Sequence, residues 1–195
     1  MNDSRPCLNE PFVSSYKVAK HEKWHILLNA LLFQCLWFSI MVFEQFGLVL
    51  FLGALFGQFF YQRYVSKANM TFTLPLVVFV LGMCIDISFT VLGLFSFPSN
   101  ELNPSIADIR LFSIPLWLIV MWLGFVLTLQ HSLQWLRARR YVCVLAFAIS
   151  GPLSYMAGQK FGMIQFGDDV GFYLILSWAL VGWVASFKIV DKSKV

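Results

Sequence analysis

The chain has 195 residues, of which 59% are hydrophobic and only 12% are charged. A soluble domain carries about 25% charged residues, so this composition excludes an ordinary water-soluble globule and predicts a protein that lies in lipid. The net charge of +4 comes without a nucleic-acid-binding motif or a basic patch interleaved with aromatic residues, which excludes nucleic acid as the partner.

Residues 1–23 are polar and are predicted to form a cytoplasmic N-terminal arm. Its second half, Val13–Lys23, is compatible with a short helix on the membrane surface. Six apolar runs follow within residues 24–187, and each is interpreted as a helix that crosses the bilayer, since about twenty helical residues span roughly 30 Å. Residues 188–195 are predicted to form a basic cytoplasmic tail.

The six runs are separated by short polar or charged segments, of which residues 98–110 are the longest. The fold predicted from this pattern is an all-α polytopic membrane bundle of six transmembrane helices, with no soluble domain and no internal repeat. The predicted spans cover approximately residues 24–43, 46–61, 71–97, 111–136, 141–166 and 170–187.

The placement of lysine and arginine predicts the orientation, because cytoplasmic loops of membrane proteins carry an excess of both. With both termini in the cytoplasm, twelve of the fourteen basic residues lie on the cytoplasmic side, and only Arg110 and Lys160 lie outside. The six spans are therefore predicted to run with the N-terminus and the C-terminus inside.

Asp86, in the third run, is the most informative polar residue. An ionised carboxylate near the bilayer centre costs about 2.5 kcal/mol or more, so Asp86 should face the bundle interior. A rise of about 1.5 Å per residue places Tyr155 of the fifth run at the same depth, with Gln159 one turn further out. We expect these three side chains to meet near the midplane, either as a substrate, proton or ion site or as a structural cluster.

Three more polar residues complete the candidate site: His131 in the fourth run, and Asn29 and Gln34 in the first. His131 lies about 9 Å from the predicted cytoplasmic surface, where a histidine either transfers protons or simply bonds to a neighbour. Asn29 shares a helical face with His21 and His25, but this spacing is too weak to predict a metal site. We therefore predict neither a metal nor a cofactor.

Glycines mark the places where helices are expected to pack closely. The pair Gly53 and Gly57 has the spacing that lets a second backbone approach, so both are predicted to face another helix. In the fifth run, Gly151-Pro152 is expected to kink the helix and free a backbone carbonyl. The residues assigned to helix packing are Gly53, Gly57, Gly151, Pro152, Gly158 and Gly162.

Four segments of the chain are distinctive: NALLFQCLWF, GMCIDISFTVLG, LWLIVMWLGFVLTLQHSLQWLRAR and GPLSYMAGQKFG. They resemble the bacterial inner-membrane proteins of domain of unknown function 2878, over about residues 24–185. The resemblance implies a multi-pass protein of the bacterial inner (cytoplasmic) membrane and brings no assigned activity. It singles out Asn29, Gln34, Trp37, Asp86, His131, Trp135, Gly151, Pro152, Tyr155 and Gly158.

Three functions stay open at this point. The first is a protein that binds a membrane lipid or assists its modification, a role that the resemblance favours through genes for fatty-acid-modifying enzymes encoded beside such proteins. The second is a small proton-coupled transporter that uses Asp86, and the third is a structural partner of another membrane protein. The missing repeat argues against a transporter, and the missing catalytic constellation argues against a self-sufficient enzyme. Whether the protein is an enzyme therefore stays open.

Overall fold

Helices dominate the structure, a computed structural model that describes residues 11–43, 45–60, 73–98, 109–129, 132–167 and 169–187. The helices in these ranges are α1 (Pro11–Phe43), α2 (Gln45–Phe60), α3 (Thr73–Val91), α4 (Leu116–Thr128), α5 (Gln134–Arg137), α6 (Arg140–Lys160) and α7 (Val170–Ala185). The two-residue strands are β1 (Phe95–Ser96), β2 (Arg110–Leu111), β3 (Ile114–Pro115) and β4 (Gln165–Phe166).

Two helices in the described part of the chain, α3 and α6, are long and apolar enough to cross a membrane. Shorter apolar helical segments of 10–17 residues lie in α1, α2, α4 and α7. The prediction of a mostly helical chain is confirmed, and two helices have the length and composition of membrane spans. Six complete crossings and the orientation of the chain stay predictions.

The fourth predicted span, residues 111–136, is not one continuous helix, so this part of the prediction is wrong. Strands β2 and β3 form a tight antiparallel hairpin, with Phe112 and Ser113 in the left-handed region at φ 52° and 67°. Pro115 follows as the N-cap of α4 in an extended conformation. Proline has no N–H to donate and disfavours helix in the residue before it, so α4 cannot extend further towards its N-terminus.

A glycine follows the end of α3 and of α6. Gly93 after α3 and Gly162 after α6 have positive φ angles of 73° and 77°, a conformation that a side chain with Cβ disfavours. In each case the next amide bonds back to a carbonyl five residues earlier, at 2.8 and 3.0 Å. Strands β1 and β4 then pair in antiparallel register, so α3 and α6 end at the same side of the bundle.

The helices form two hairpins on either side of a central pair. Helices α1 and α2 pack together, as do α6 and α7, while α3 packs on α4. The central pair joins the hairpins, because α4 contacts α1 and α2 and α3 contacts α7. The core accordingly draws fully buried side chains from both hairpins and from α3, among them Ile40, Phe51, Val78, Cys143 and Leu174.

The glycines that allow close helix packing are not the pair that the sequence suggested. Gly53 and Gly57 are exposed, and a Cβ added to either meets no atom within 4 Å, so on the described residues neither faces another helix. The close approach within the first hairpin lies at Gly47, where an added Cβ would come 2.1 Å from the carbonyl oxygen of Ser39. At Gly182 an added Cβ would lie 3.0 Å from the backbone of α6.

The predicted packing residues of α6 serve different purposes. Gly151 packs against a side chain of α7, as described below, and Pro152 is buried within a helix that continues through it. Gly158 is buried, but an added Cβ there would meet only Ile164 of the following turn, at an ordinary 3.5 Å. Gly162 ends the helix, so its assignment to helix packing was wrong.

Candidate functional site

The carboxylate of Asp86 joins three helices. Asp86 lies on α3 and is 1% exposed. The Tyr155 hydroxyl, from α6, donates to its Oδ1 at 2.7 Å and to its Oδ2 at 2.8 Å. The indole Nε1 of Trp122, from α4, donates to Oδ2 at 2.7 Å. Both carboxylate oxygens therefore accept from neutral donors, in a place closed to solvent.

Two glycines make the space for the aromatic rings of this cluster. Gly82 lies one turn before Asp86, and a Cβ there would come 2.3 Å from the Trp122 ring. Trp122 stacks on Trp178 of α7 with ring centroids 5.2 Å apart and an interplanar angle of 11°. On the far side of Trp178, a Cβ on Gly151 would lie 1.9 Å from the indole. The four residues form a layered stack from α3 to α6.

Phe95 from the strands covers Tyr155 on another side, and Phe166 packs behind it. Phe95 of β1 stacks on the Tyr155 ring at a centroid distance of 5.3 Å. Phe95 also stacks on Phe166, its partner across the β1–β4 ladder, at 5.6 Å. The short strand pair therefore closes the cluster at the end where α3 and α6 finish.

A cleft of about 510 Å³ lies beside the cluster. Helices α1, α4 and α6 line it, and Trp178 of α7 contributes to its inner surface. The rings of Trp122 and Tyr155 belong to the lining, whereas Asp86 does not. Most of the surface is apolar or aromatic, with Phe33 and Trp37 from α1. Asp86 is thus separated from the cleft by the two rings that bond to it.

Four polar side chains line the cleft apart from the two donors to Asp86. Two of them bond to their own helices: Thr128 Oγ1 donates to the Phe125 carbonyl at 2.6 Å, and Ser154 Oγ to the Gly151 carbonyl at 2.7 Å. The other two, Gln34 and Ser150, have no hydrogen-bond partner among the described residues.

The predicted contact between Asp86 and Tyr155 is present, but the third partner is Trp122 and not Gln159. Gln159 is exposed, and its side chain makes no hydrogen bond within the described ranges. Tyr155 was selected because it lies fifteen residues after Arg140, which gives its depth in the predicted membrane. Trp122 lies fifteen residues before Arg137, so the same count selects it as well. A search restricted to conventional polar residues missed the indole N–H.

Of the remaining candidates, the structure describes Asn29 and Gln34. Asn29 accepts a hydrogen bond from Ser132 Oγ at 3.0 Å, which ties α1 to the segment after α4. Gln34 lines the cleft. His131 lies outside the described residues, so its contribution stays a prediction. Neither Asn29 nor Gln34 contacts Asp86.

Two arginines around α5 hold helix ends together, a role that sequence reasoning did not assign. Arg137 donates through Nε to the Ala185 carbonyl at 2.7 Å and through Nη1 to the Leu129 carbonyl at 3.1 Å, which caps α7 and α4. Burial lowers the pKa of Arg137, yet an arginine stays protonated at neutral pH. Arg140 lies over the ring of Trp183, 4.7 Å from its centroid.

Comparison with known proteins gives one positive result. The family described as "Protein of unknown function (DUF2878)" matches residues 26–185, which is most of the chain. No curated protein and no solved structure matches.

Proposed function

The chain belongs to the family of proteins of unknown function DUF2878, and from that premise we propose that it is a multi-pass membrane protein that binds a membrane lipid. The site is the cleft between α1, α4 and α6, which takes an acyl chain of the lipid. The proposal includes the six-span arrangement in the bacterial inner membrane with both termini inside. It assigns binding and leaves any chemistry on the lipid to a partner protein.

The observation that carries the proposal is the size and lining of the cleft. Ligand sites are typically concave spaces of about 300–1,000 Å³ lined mainly by apolar and aromatic side chains, and this cleft holds about 510 Å³. Its walls α1 and α6 belong to different hairpins, so the cleft lies between the two hairpins that the central pair of helices joins. Within a bilayer, acyl chains are the apolar molecules available to fill such a space.

The position of Asp86 gives proton-coupled transport no comparable support. Its carboxylate is enclosed by Trp122 and Tyr155 and does not reach the cleft. The cleft also argues against a purely structural partner, for which a closed bundle would suffice.

The test is photo-crosslinking with a phospholipid that carries a diazirine on its acyl chain, in lipid nanodiscs. The wild-type protein should yield adducts on peptides of α1, α4 and α6. Ser150→Trp fills the cleft with an indole and should remove most of these adducts. Ile149→Trp is the matched control, because Ile149 is the neighbouring residue, is 61% exposed and does not line the cleft.

Both variants must first elute as monodisperse protein of the wild-type size. Equal adduct yields from Ser150→Trp and Ile149→Trp would contradict the proposal, since a chain bound in the cleft cannot coexist with the introduced indole. Adducts spread evenly over exposed helix faces in the wild type would contradict it as well.

A further inference from the structure

We propose that the lipid bound in the cleft carries a carbonyl or hydroxyl oxygen near the bilayer midplane, and that Gln34 and Ser150 recognise this oxygen. The inference rests on the proposed function and adds the class of lipid. Gln34 belongs to the α1 wall and Ser150 to the α6 wall, and both side chains line the same cleft.

Ring contacts through α4 place the two residues at about the same level. Phe33, which precedes Gln34, reaches the side of α4 at Gly124, where an added Cβ would lie 3.2 Å from its ring. The next residue of α4, Phe125, contacts Phe147 of α6 at a centroid distance of 5.5 Å. Ser150 lies less than one helical turn beyond Phe147. The two polar groups therefore border one region of the cleft.

This level is deep in the predicted membrane. Ser150 is ten residues from Arg140, the first residue of α6, which corresponds to about 15 Å of helix. The hydrocarbon core is about 30 Å thick, so Ser150 and Gln34 lie near its middle. An unmodified acyl chain offers only hydrocarbon there, and water is scarce, so neither polar group would find a partner in an ordinary phospholipid.

Ser150 differs from the other serines in helical positions whose side chains the structure describes. The hydroxyls of Ser39, Ser88, Ser154 and Ser177 all donate to a carbonyl of their own helix, at 2.7–2.9 Å. Such back-bonding is the usual way for a helical serine to satisfy its hydroxyl away from water. Ser150 makes no such bond, which leaves its donor free for a ligand.

Gln34 supplies the complementary chemistry. A glutamine amide has two N–H donors and a carbonyl acceptor, and a serine hydroxyl has one donor and two acceptor sites. Together they offer several donors to one carbonyl oxygen, or donor and acceptor to one hydroxyl. Two kinds of lipid carry such an oxygen at this depth: an acyl chain with a mid-chain keto or hydroxyl group, and an isoprenoid quinone, whose ring would also stack on aromatic side chains of the cleft.

The experiment uses the diazirine phospholipid whose acyl chain has no keto or hydroxyl group, called the plain probe. It measures how well three competitors displace this probe in nanodiscs. These are a phosphatidylcholine with a 12-keto-octadecanoyl chain, the same lipid with a plain octadecanoyl chain, and a ubiquinone. We expect the keto lipid or the quinone to displace the probe at about fivefold to tenfold lower concentration than the plain lipid, which is what one net hydrogen bond provides. Which of the two succeeds identifies the source of the oxygen.

Variants test whether Gln34 and Ser150 produce this preference. Gln34→Leu combined with Ser150→Val should bring the ratio of the displacing concentrations to about one, because neither side chain then donates a hydrogen bond. Gln159→Leu, on the exposed side of α6, should keep the wild-type ratio. Equal displacement by all competitors in the wild type, or an unchanged ratio in the double variant, would overturn the inference. Loss of crosslinking by the plain probe in the wild type would instead overturn the proposed function.

Discussion

The packing in the middle of the bundle depends on the carboxylate of Asp86. It accepts hydrogen bonds from helices that approach from two directions, through Tyr155 and Trp122. Gly82 and Gly151 make space for the stacked indoles of Trp122 and Trp178. This stack holds the Trp122 N–H close to the Asp86 carboxylate. A buried polar group is tolerated only when it is bonded, and this cluster satisfies all three side chains at once.

Replacing Asp86 should therefore destabilise the bundle in a graded way. Asp86→Leu leaves the Tyr155 hydroxyl and the Trp122 N–H without an acceptor, at about 1–3 kcal/mol for each donor, or roughly 2–6 kcal/mol of unfolding free energy. Asp86→Asn keeps one carbonyl acceptor and should lose less. The order of stability of the variants is measured by thermal unfolding in detergent, with the loss of monodisperse protein on size-exclusion chromatography as the readout.

A partner-removal variant is the control for this prediction. Tyr155→Phe introduced into Asp86→Leu removes one of the stranded donors, so the double variant should be more stable than Asp86→Leu alone. If Asp86→Leu unfolds at the same temperature as the wild type, the cluster does not contribute the stability assigned to it. The same holds if adding Tyr155→Phe to Asp86→Leu does not raise the unfolding temperature.

The contact between Asp86 and Tyr155 follows from counting residues along predicted spans, because each helix rises by the same amount per residue. Trp122 satisfies the same count and was missed, since tryptophan contributes to hydropathy as an apolar residue. The cleft was not predictable in this way. Its walls come from helices that are distant in sequence, and its volume depends on how the two hairpins diverge.

At the scale of the elements, spacing alone did not identify the packing glycines. The pair Gly53 and Gly57 fits the spacing that often brings helices together, but the rotation of α2 about its axis turns both glycines outwards. That rotation is set in the first hairpin by the contact of Gly47 with Ser39, close to the turn. Helices α1 and α2 are only one residue apart in sequence, so we infer that the glycine nearest to this connection determines the packing.

The glycines of α2 give a direct comparison. Gly47→Leu should abolish most of the folded yield in detergent, because an added Cβ would come 2.1 Å from the Ser39 carbonyl oxygen and the backbone has no room to yield. Gly53→Leu should leave the yield unchanged, since its Cβ meets open space. A lower yield from Gly53→Leu than from Gly47→Leu would show that the hairpin packs differently.

The shortness of α4 was the other feature that hydropathy concealed. The run from Leu111 to Leu136 is apolar throughout most of its length, yet only 13 residues of it form α4. At about 1.5 Å per residue these rise roughly 20 Å, less than the hydrocarbon core. The β2–β3 hairpin, from Arg110 to Pro115, contributes apolar residues to this run, with Phe112 72% exposed at its tip. Hydropathy measures solvent preference, so it does not distinguish a helix from an apolar hairpin beside one.

At the scale of the whole molecule, the two ends of the bundle have different chemistry. At one end the β1–β4 pair and the β2–β3 hairpin join the helices through backbone hydrogen bonds. At the other end Arg137 caps α4 and α7, and Arg140 lies over Trp183. The excess of lysine and arginine predicts that this end lies in the cytoplasm, and the two arginines also hold the ends of the helices together.

Cysteine accessibility tests this orientation, with the native cysteines first replaced by alanine. Arg139 and Phe112 are both exposed, and Phe112 precedes α4 in the chain whereas Arg139 follows it, so a single crossing by α4 places them on opposite sides of the membrane. In intact cells treated with a membrane-impermeant maleimide, Phe112→Cys should be labelled and Arg139→Cys should be labelled only after the membrane is opened. Labelling of Arg139→Cys in intact cells would reverse the orientation. Labelling of both positions in intact cells would mean that α4 does not cross the bilayer, and the lipid would then have to reach the cleft from the surface and not from within the membrane.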